Sequence, residues 1–322
     1  MSTAFDARHA AISGLAGLML WVATSASAAT SYSEPTLFSR PGFSITQPWD
    51  INDSGVIVGQ SDNMGFIYSA GVFSSLVHPN ATAGTHLSGI ANDGTLVGGY
   101  WEGDFETGKS HAFVYNGGVF TEFAVPGARD TYVRNISSNG RYLTGYSNPE
   151  DGSAGVGFVF DRNTQTLTQL SVAGDTITIA QGANSYGLVT GSFSRAGGSG
   201  SFIFDLNTKT RTEYFGIPGV GVPRFRDIND AGLISGFAGS QAMVGRPGDW
   251  TFIAPIYGTS ALGYGTNNEG FLVGYSADPV SGDVLGWLAT PVPEPASWGL
   301  MALGLLGLGL GKRRMPRALM AP

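Results

Sequence analysis

The chain has 322 residues, of which 17 are basic and 24 acidic, and it contains no cysteine. The missing thiol excludes disulfides, thiolate metal sites and cysteine catalysis, and the acidic balance excludes nucleic acid as an electrostatically favoured partner. Glycine fills 49 positions while charged residues make up only 13%, a composition of many tight turns and β structure.

Residues 1–28 have the layout of a secretory signal peptide. Arg8 and His9 precede an apolar run from Ala10 to Ala23, and small residues ending in Ala26, Ser27 and Ala28 close it. Cleavage is expected after Ala28, and export with it. Setting aside Asp6, Arg8, Lys312, Arg313, Arg314 and Arg317 at the two ends leaves 12 basic against 23 acidic residues. Such a body repels an anionic polymer at long range unless a cation intervenes.

Residues 29–290 repeat one unit six times. INDSGVIVGQ at 51 is followed by IANDGTLVGGY at 90, ISSNGRYLTGY at 136, ANSYGLVTGSF at 183, INDAGLISGF at 228 and TNNEGFLVGY at 266. The leading glycines, Gly55, Gly94, Gly140, Gly187, Gly232 and Gly270, set a period near 43 residues. The third unit parses most clearly. Residues 131–136 read as a first strand, Asn139 and Gly140 as a tight turn tolerant of positive φ, and 142–146 as a second strand. Residues 156–160 then give a third and 166–172 a fourth. Four short strands every forty-odd residues is the spacing of propeller blades, with an open β solenoid as the competing arrangement. The last unit stops after its third strand, at 286–290, while the orphan segment 34–43 lines up with a fourth-strand stretch. The expectation is therefore an all-β propeller of six four-stranded blades, closed by the N-terminal strand, with a monomeric body.

The Asn-Asp-x-Gly turns fall on one face of such a ring. The loops between second and third strands fall on the other, where a rigid scaffold presents adaptable binding residues. Trp101, Asp104 and Glu106 lie in one of these loops, and Glu150 and Asp151 in another. The repeated turns offer one carboxylate each and lack the spacing of a closed calcium loop, so turn chemistry is favoured over calcium there. A calcium role is kept for the denser loop acids, and no other cofactor is expected. Arg224 and Arg226 stand out in an acid-rich body. On an innermost strand they share a face and look into the channel, either clamping an anion or acidic sugar or pairing with Asp227 or Asp230. No GxSxG elbow, HExxH helix or phosphate-binding loop is present, and His78, His86 and His111 are scattered. These features favour a non-enzymatic binding protein. A glycan hydrolase or lyase using acids or arginines of the variable face is the rival, and a protein-binding propeller the third reading.

His111, Ala112 and Phe113, with the NxxGxxVG and VPGA stretches, resemble the bacterial HAF-repeat family of extracellular proteins, which carries no assigned catalytic residues. At the C-terminus, Val292, Pro293, Glu294, Pro295 and Ala296 are followed by apolar residues 298–311 and then Lys312, Arg313 and Arg314. This order resembles the PEP-CTERM sorting signal. The resemblance implies a Gram-negative producer of exopolysaccharide, recognition by an exosortase near Pro293, Glu294 and Pro295, and removal of the tail. Positive charge after the apolar run stops transfer and holds that end in the cytoplasm. The 14 residues from Trp298 to Gly311 reach only about 21 Å as a helix, against a hydrocarbon core of roughly 30 Å. Residues 291–322 thus read as a sorting signal with a transmembrane helix and a basic tail, the helix serving as a temporary inner-membrane anchor. Display at the cell surface or release, in association with exopolysaccharide or biofilm matrix, follows from that reading.

Overall fold

Alternating side chains and glycine turns make strands of almost the whole of residues 31–103 and 108–292, which are the residues described by the computed structural model. Two short strands come first, β1 (Ser31–Tyr32) and β2 (Thr36–Phe38). Blade one comprises β3 (Gln47–Ile51), β4 (Ile57–Ser61), β5 (Met64–Ser69) and β6 (Val72–Leu76). Blade two comprises β7 (Gly84–Ile90), β8 (Leu96–Glu102), β9 (Lys109–Asn116) and β10 (Val119–Phe123). Blade three is β11 (Ala128–Ile136), β12 (Tyr142–Pro149), β13 (Val156–Asp161) and β14 (Thr166–Gln169). Blade four is β15 (Asp175–Ala183), β16 (Leu188–Arg195), β17 (Gly198–Asp205) and β18 (Thr210–Tyr214). Blade five is β19 (Pro223–Ile228), β20 (Ile234–Ala238), β21 (Gln241–Arg246) and β22 (Asp249–Ile253). Blade six takes β23 (Leu262–Thr266), β24 (Leu272–Ala277) and β25 (Val284–Ala289) from its own repeat, and β26 (Pro291–Val292) follows.

The fourth strand of blade six is β2, which pairs antiparallel with β25 through Thr36 opposite Leu288 and Phe38 opposite Gly286. The ring closes as the orphan segment led us to expect. A second clasp, β1 against β26, sets Ser31 opposite Val292 and Tyr32 opposite Pro291. The Tyr32 hydroxyl donates to the Gly270 carbonyl at 2.9 Å, and burial pushes its pKa up to about 12. Pro291 and Val292 thus belong to the folded body as well as to the terminal motif. Within the third unit, β11 starts earlier than the sequence suggests and β14 ends at Gln169. The turn also differs in type. Gly140 takes φ +74° and Asn139 does not enter the left-handed region, so the four residues 137–140 form an ordinary turn ending in glycine.

Hydrophobic packing is divided among six clusters, one at each interface between neighbouring blades. Blade six meets blade one through Val273, Ile51, Ile57 and Phe66, so the closure is packed as well as hydrogen-bonded. Because the apolar faces are spent between blades, the axis is left to polar side chains. The expected signal peptide, with Ala26 and Ala28, and the terminal apolar helix with Lys312, Arg313 and Arg314 lie outside the described residues. Among the described residues, no helix is long and apolar enough to cross a membrane.

Candidate functional site in the central channel

The second glycine of each repeat decides what enters the channel. A Cβ at Gly59, Gly98, Gly145 or Gly236 would overlap the carbonyl oxygen of Gln47, His86, Tyr132 or Arg224 on the innermost strand. Without a side chain there, the innermost strand lies close and takes an extra residue. Each blade shows this as a register shift, between Pro48 and Asp50, Leu87 and Gly89, Val133 and Asn135, Ala180 and Gly182, Phe225 and Asp227, and Gly263 and Thr266. A bulge re-aims the side chain at the inserted position. Here the bulged residues are Trp49, Ser88, Arg134, Gln181, Arg226 and Tyr264, and all six line one small cavity of about 30 Å3 on the channel axis.

Asn135 and Asp227 floor this cavity. They belong to a ring in which polar residues and glycine alternate: Asp50, Gly89, Asn135, Gly182, Asp227 and Gly265. The alternation is steric. A Cβ at Gly89 would meet Asn135, one at Gly182 would meet Asp227, and one at Gly265 would meet Asp50. Each aspartate reaches into the next blade, Asp50 Oδ2 accepting from the Ile90 amide at 2.8 Å and Asp227 Oδ2 from the Thr266 amide at 3.0 Å. Burial raises both pKa values, that of Asp227 to about 6, while Asp50 is raised further by the nearby Asp227 charge.

Below this ring the repeated turns close the channel. Asn52 Oδ1 accepts from the amides of Ser54 and Val56, which holds its own turn, while its Nδ2 donates to Ala91 of the next blade at 3.4 Å. Asn184, Asn229 and Asn267 repeat the arrangement, donating to Asn229, Asn267 and Asn52 carbonyls. The following residues form a belt. Asp53 exchanges bonds with Asn92 and accepts from Asn268, Asn268 accepts from the Asp230 amide, and Asp230 accepts from Ser138 and Ser185. Ser138 and Asp230 stand two blades apart yet lie 2.8 Å from each other, so the belt closes across the axis. The turn carboxylates are therefore engaged as hydrogen-bond acceptors between blades. Among the described residues, no group of three or more histidine, aspartate or glutamate side chains is placed to hold a metal ion.

The open side of the cavity faces the starts of the innermost strands. Trp101 is part-exposed, its ring near His86, and the His86 ring packs in turn against Trp49 at 5.3 Å. Burial first, and then the positive charge of Arg134, lower the His86 pKa to about 3. Glu150 and Asp151 are exposed in the loop after β12, where Asp151 accepts from the Ser153 amide. Asp104, Glu106, Pro293, Glu294 and Pro295 lie outside the described residues. Arg224 and Arg226 do not act as a pair. Arg226 lines the cavity, whereas Arg224 donates to Ser199 Oγ at 3.2 Å. Neither forms an ion pair with Asp227 or Asp230. The partner that matters for Arg226 is Arg134, which sequence reasoning missed. Its signal was a column of the aligned repeats, the residue two positions before the first residue of each turn motif: Trp49, Ser88, Arg134, Gln181, Arg226 and Tyr264.

In comparison with known proteins, residues 291–314 match the PEP-CTERM protein-sorting motif. No curated protein matches the chain in sequence. Among solved structures the chain is similar to TolB from Acinetobacter baumannii, with TM-score 0.50 and 11% identity over 70% of this chain and 59% of that one. It is similar to a protein assigned as TolB in Agrobacterium tumefaciens, with TM-score 0.50 and 13% identity over 82% and 91% of the two chains. A third likeness is the β-propeller domain of the Trilobed protease from Pyrococcus furiosus, at TM-score 0.42 and 12% identity over 80% and 95%. The chain thus spans about three fifths of the first of these proteins, and identities this low speak for the fold alone. The terminal motif marks an exported, membrane-anchored precursor addressed to an exosortase, and the body it carries is a closed six-bladed propeller.

Proposed function

We propose that this protein is a non-enzymatic component of the cell envelope or extracellular matrix, sorted by an exosortase and associating with exopolysaccharide. The observation that carries the reading is the sorting motif at residues 291–314 joined directly to a closed propeller. The body supplies rigid loops and an aromatic, polar channel mouth, which suit recognition of an extended sugar chain. After β26 the chain passes at once into Pro293, Glu294 and Pro295, so removal of the tail would free the body with both clasps of the ring intact.

A hydrolase or lyase is the second reading, favoured by one feature: Asp227 floors the cavity and keeps its proton up to about pH 6, as a general acid does. Two measurements test the proposal. Mass spectrometry of the protein from producing cells should find a mature C-terminus near Pro293, and an intact chain ending at Pro322 would sink the processing claim. Incubation with the strain's own exopolysaccharide should give binding without chain cleavage. Cleavage lost on Asp227→Asn would transfer the assignment to the enzyme reading.

A further inference from the structure

Wherever else this body places arginines beside carboxylates, it pairs them. Arg211 meets Asp175 at 3.0 Å and Arg195 meets the same carboxylate at 3.2 Å, while Arg141 holds Asp161 at 2.7 Å. Arg134 and Arg226 are different. They enter the same channel cavity from blades three and five, each carried there by a bulge. The Nε of each is buried without a hydrogen-bond partner, and neither forms an ion pair with a described residue. What supports Arg226 within the body is aromatic: its guanidinium lies 4.8 Å from the Tyr264 ring and 5.2 Å from that of Phe237. Arg134 lies 5.4 Å from the Tyr146 ring.

This arrangement carries a cost that the fold alone does not explain. A desolvated guanidinium without a carboxylate is destabilising, and two in one cavity repel each other. Burial first, and then repulsion from Arg134 and Arg224, weaken the hold of Arg226 on its proton. The cavity's one lining carboxyl, Asp227, turns Oδ2 to the Thr266 amide, and its raised pKa is the opposite of what an ion pair would produce. Gln181, buried in the same ring, makes no side-chain hydrogen bond to a described residue. Two forked cations and an amide therefore converge on space that no protein acceptor fills, beside the flat rings of Trp49 and Tyr264. The belt shuts the far end of the channel, so a ligand enters from one side only.

We propose that Arg134, Arg226 and Gln181 form a binding site for a carboxylate borne on a sugar, a terminal or pendant uronic acid, with the carboxylate in the small cavity and the sugar ring at its mouth against the part-exposed Trp49 and Tyr264. Guanidinium forks match a carboxylate bidentately and gain most where water is excluded. The ring residues supply stacking surface, as in mixed apolar and polar ligand sites. The choice of a sugar as the carrier rests on the matrix reading above. The carboxylate site itself does not.

The test is titration calorimetry of the full-length protein in detergent, at low salt, with glucuronate, its methyl ester, glucose and acetate as probes. Glucuronate is expected to bind at least about tenfold more tightly than the methyl ester or glucose, since each charge-assisted bond lost costs about that factor. Arg226→Gln and Arg134→Gln should each weaken glucuronate by about tenfold or more. Arg134→Lys, which keeps the charge and loses the fork, should fall between. Melting temperature separates function from structure: Arg226→Met should melt at or above the unsubstituted protein while losing glucuronate binding. Failure of every anion to bind, or binding unchanged in both glutamine variants, overturns the site. So does a lowered melting temperature in Arg226→Met, which would make the arginine structural. Acetate binding as tightly as glucuronate overturns the sugar assignment and leaves the matrix reading to be judged on exopolysaccharide alone.

Discussion

Asp227 shows how one buried carboxyl couples the channel to pH. Its ordinary pKa of 3.8 is raised to about 6, by burial first and then against the opposing pull of the Thr266 and Ile228 amides. The folded chain binds this proton more tightly than the unfolded chain does. The contribution to stability is therefore fully present below pH 4 and is lost as pH rises through about 6. A shift of this size corresponds to about 3 kcal/mol. His86 works in the opposite sense over an overlapping window, because burial and Arg134 keep it neutral down to about pH 3 while the unfolded histidine charges below its ordinary value. The difference between the unsubstituted protein and Asp227→Asn reports the carboxyl together with its repulsion of Asp50. Urea melts at pH 4 and pH 7 should show the unsubstituted protein losing about 3 kcal/mol relative to the variant. A constant difference across that range would mean that Asp227 ionises normally inside the fold.

At the scale of the element, the bulged innermost strand and the glycine opposite it work as one device. Gly236 lets β20 lie against the Arg224 carbonyl, and the bulge that follows carries Arg226 into the cavity. On the outer side, aromatic side chains of the third strands cover these glycines, as Phe66 does at Gly59, Phe158 at Gly145 and Trp287 at Gly274. This is the physical sense of the recurrent glycine-then-aromatic pattern in the repeats. Gly236→Ala should cost about 2–4 kcal/mol, since backbone must move to admit the methyl group. It should also weaken glucuronate binding without touching a ligand-facing residue. Retention of full stability by Gly236→Ala in a chemical melt would show that the strands are not held as close as their register indicates.

At the scale of the whole molecule, closure is the property on which the rest depends. A propeller leaves only short outer edges, one per blade, and here segments at the two ends of the body supply both clasps, β2 on β25 and β1 on β26. Removing residues 31–38 would bare β25 as an edge strand and uncover part of the interface between blades six and one, where Phe38 and Leu288 pack against Ile51, Ile57 and Phe66. Light scattering and thermal melts should show aggregation and a lowered melting temperature in that deletion. An unchanged monomer would mean that the inter-blade clusters alone hold the ring. The position of the sorting motif fits this economy of ends, because Val292 is at once the last strand residue and part of the matched segment.

Much of this was legible in the chain. The period of the glycines, the four strands per period and the missing last strand determined a six-bladed ring, because hairpin turns and strand alternation are local and write themselves into neighbouring residues. The terminal motif was legible for the same reason: its order of sorting residues, apolar run and basic cluster is continuous in sequence. Arg226 was also marked in advance as a channel residue. The rest depended on contacts between residues about 40 or more positions apart. The bulge that inserts Trp49, Arg134 and Gln181 arises from how two strands pair, and the alternation of Asp50, Gly89, Asn135, Gly182, Asp227 and Gly265 acquires its meaning only when six copies are bent into a circle. The turn asparagines and aspartates read as local turn formers, yet in the ring they also bind blade to blade and shut one end of the channel. Only the tertiary structure could set Arg134 and Arg226 in one cavity with no ion pair to either, because charge balance inside a cavity is fixed by which strands meet at the axis.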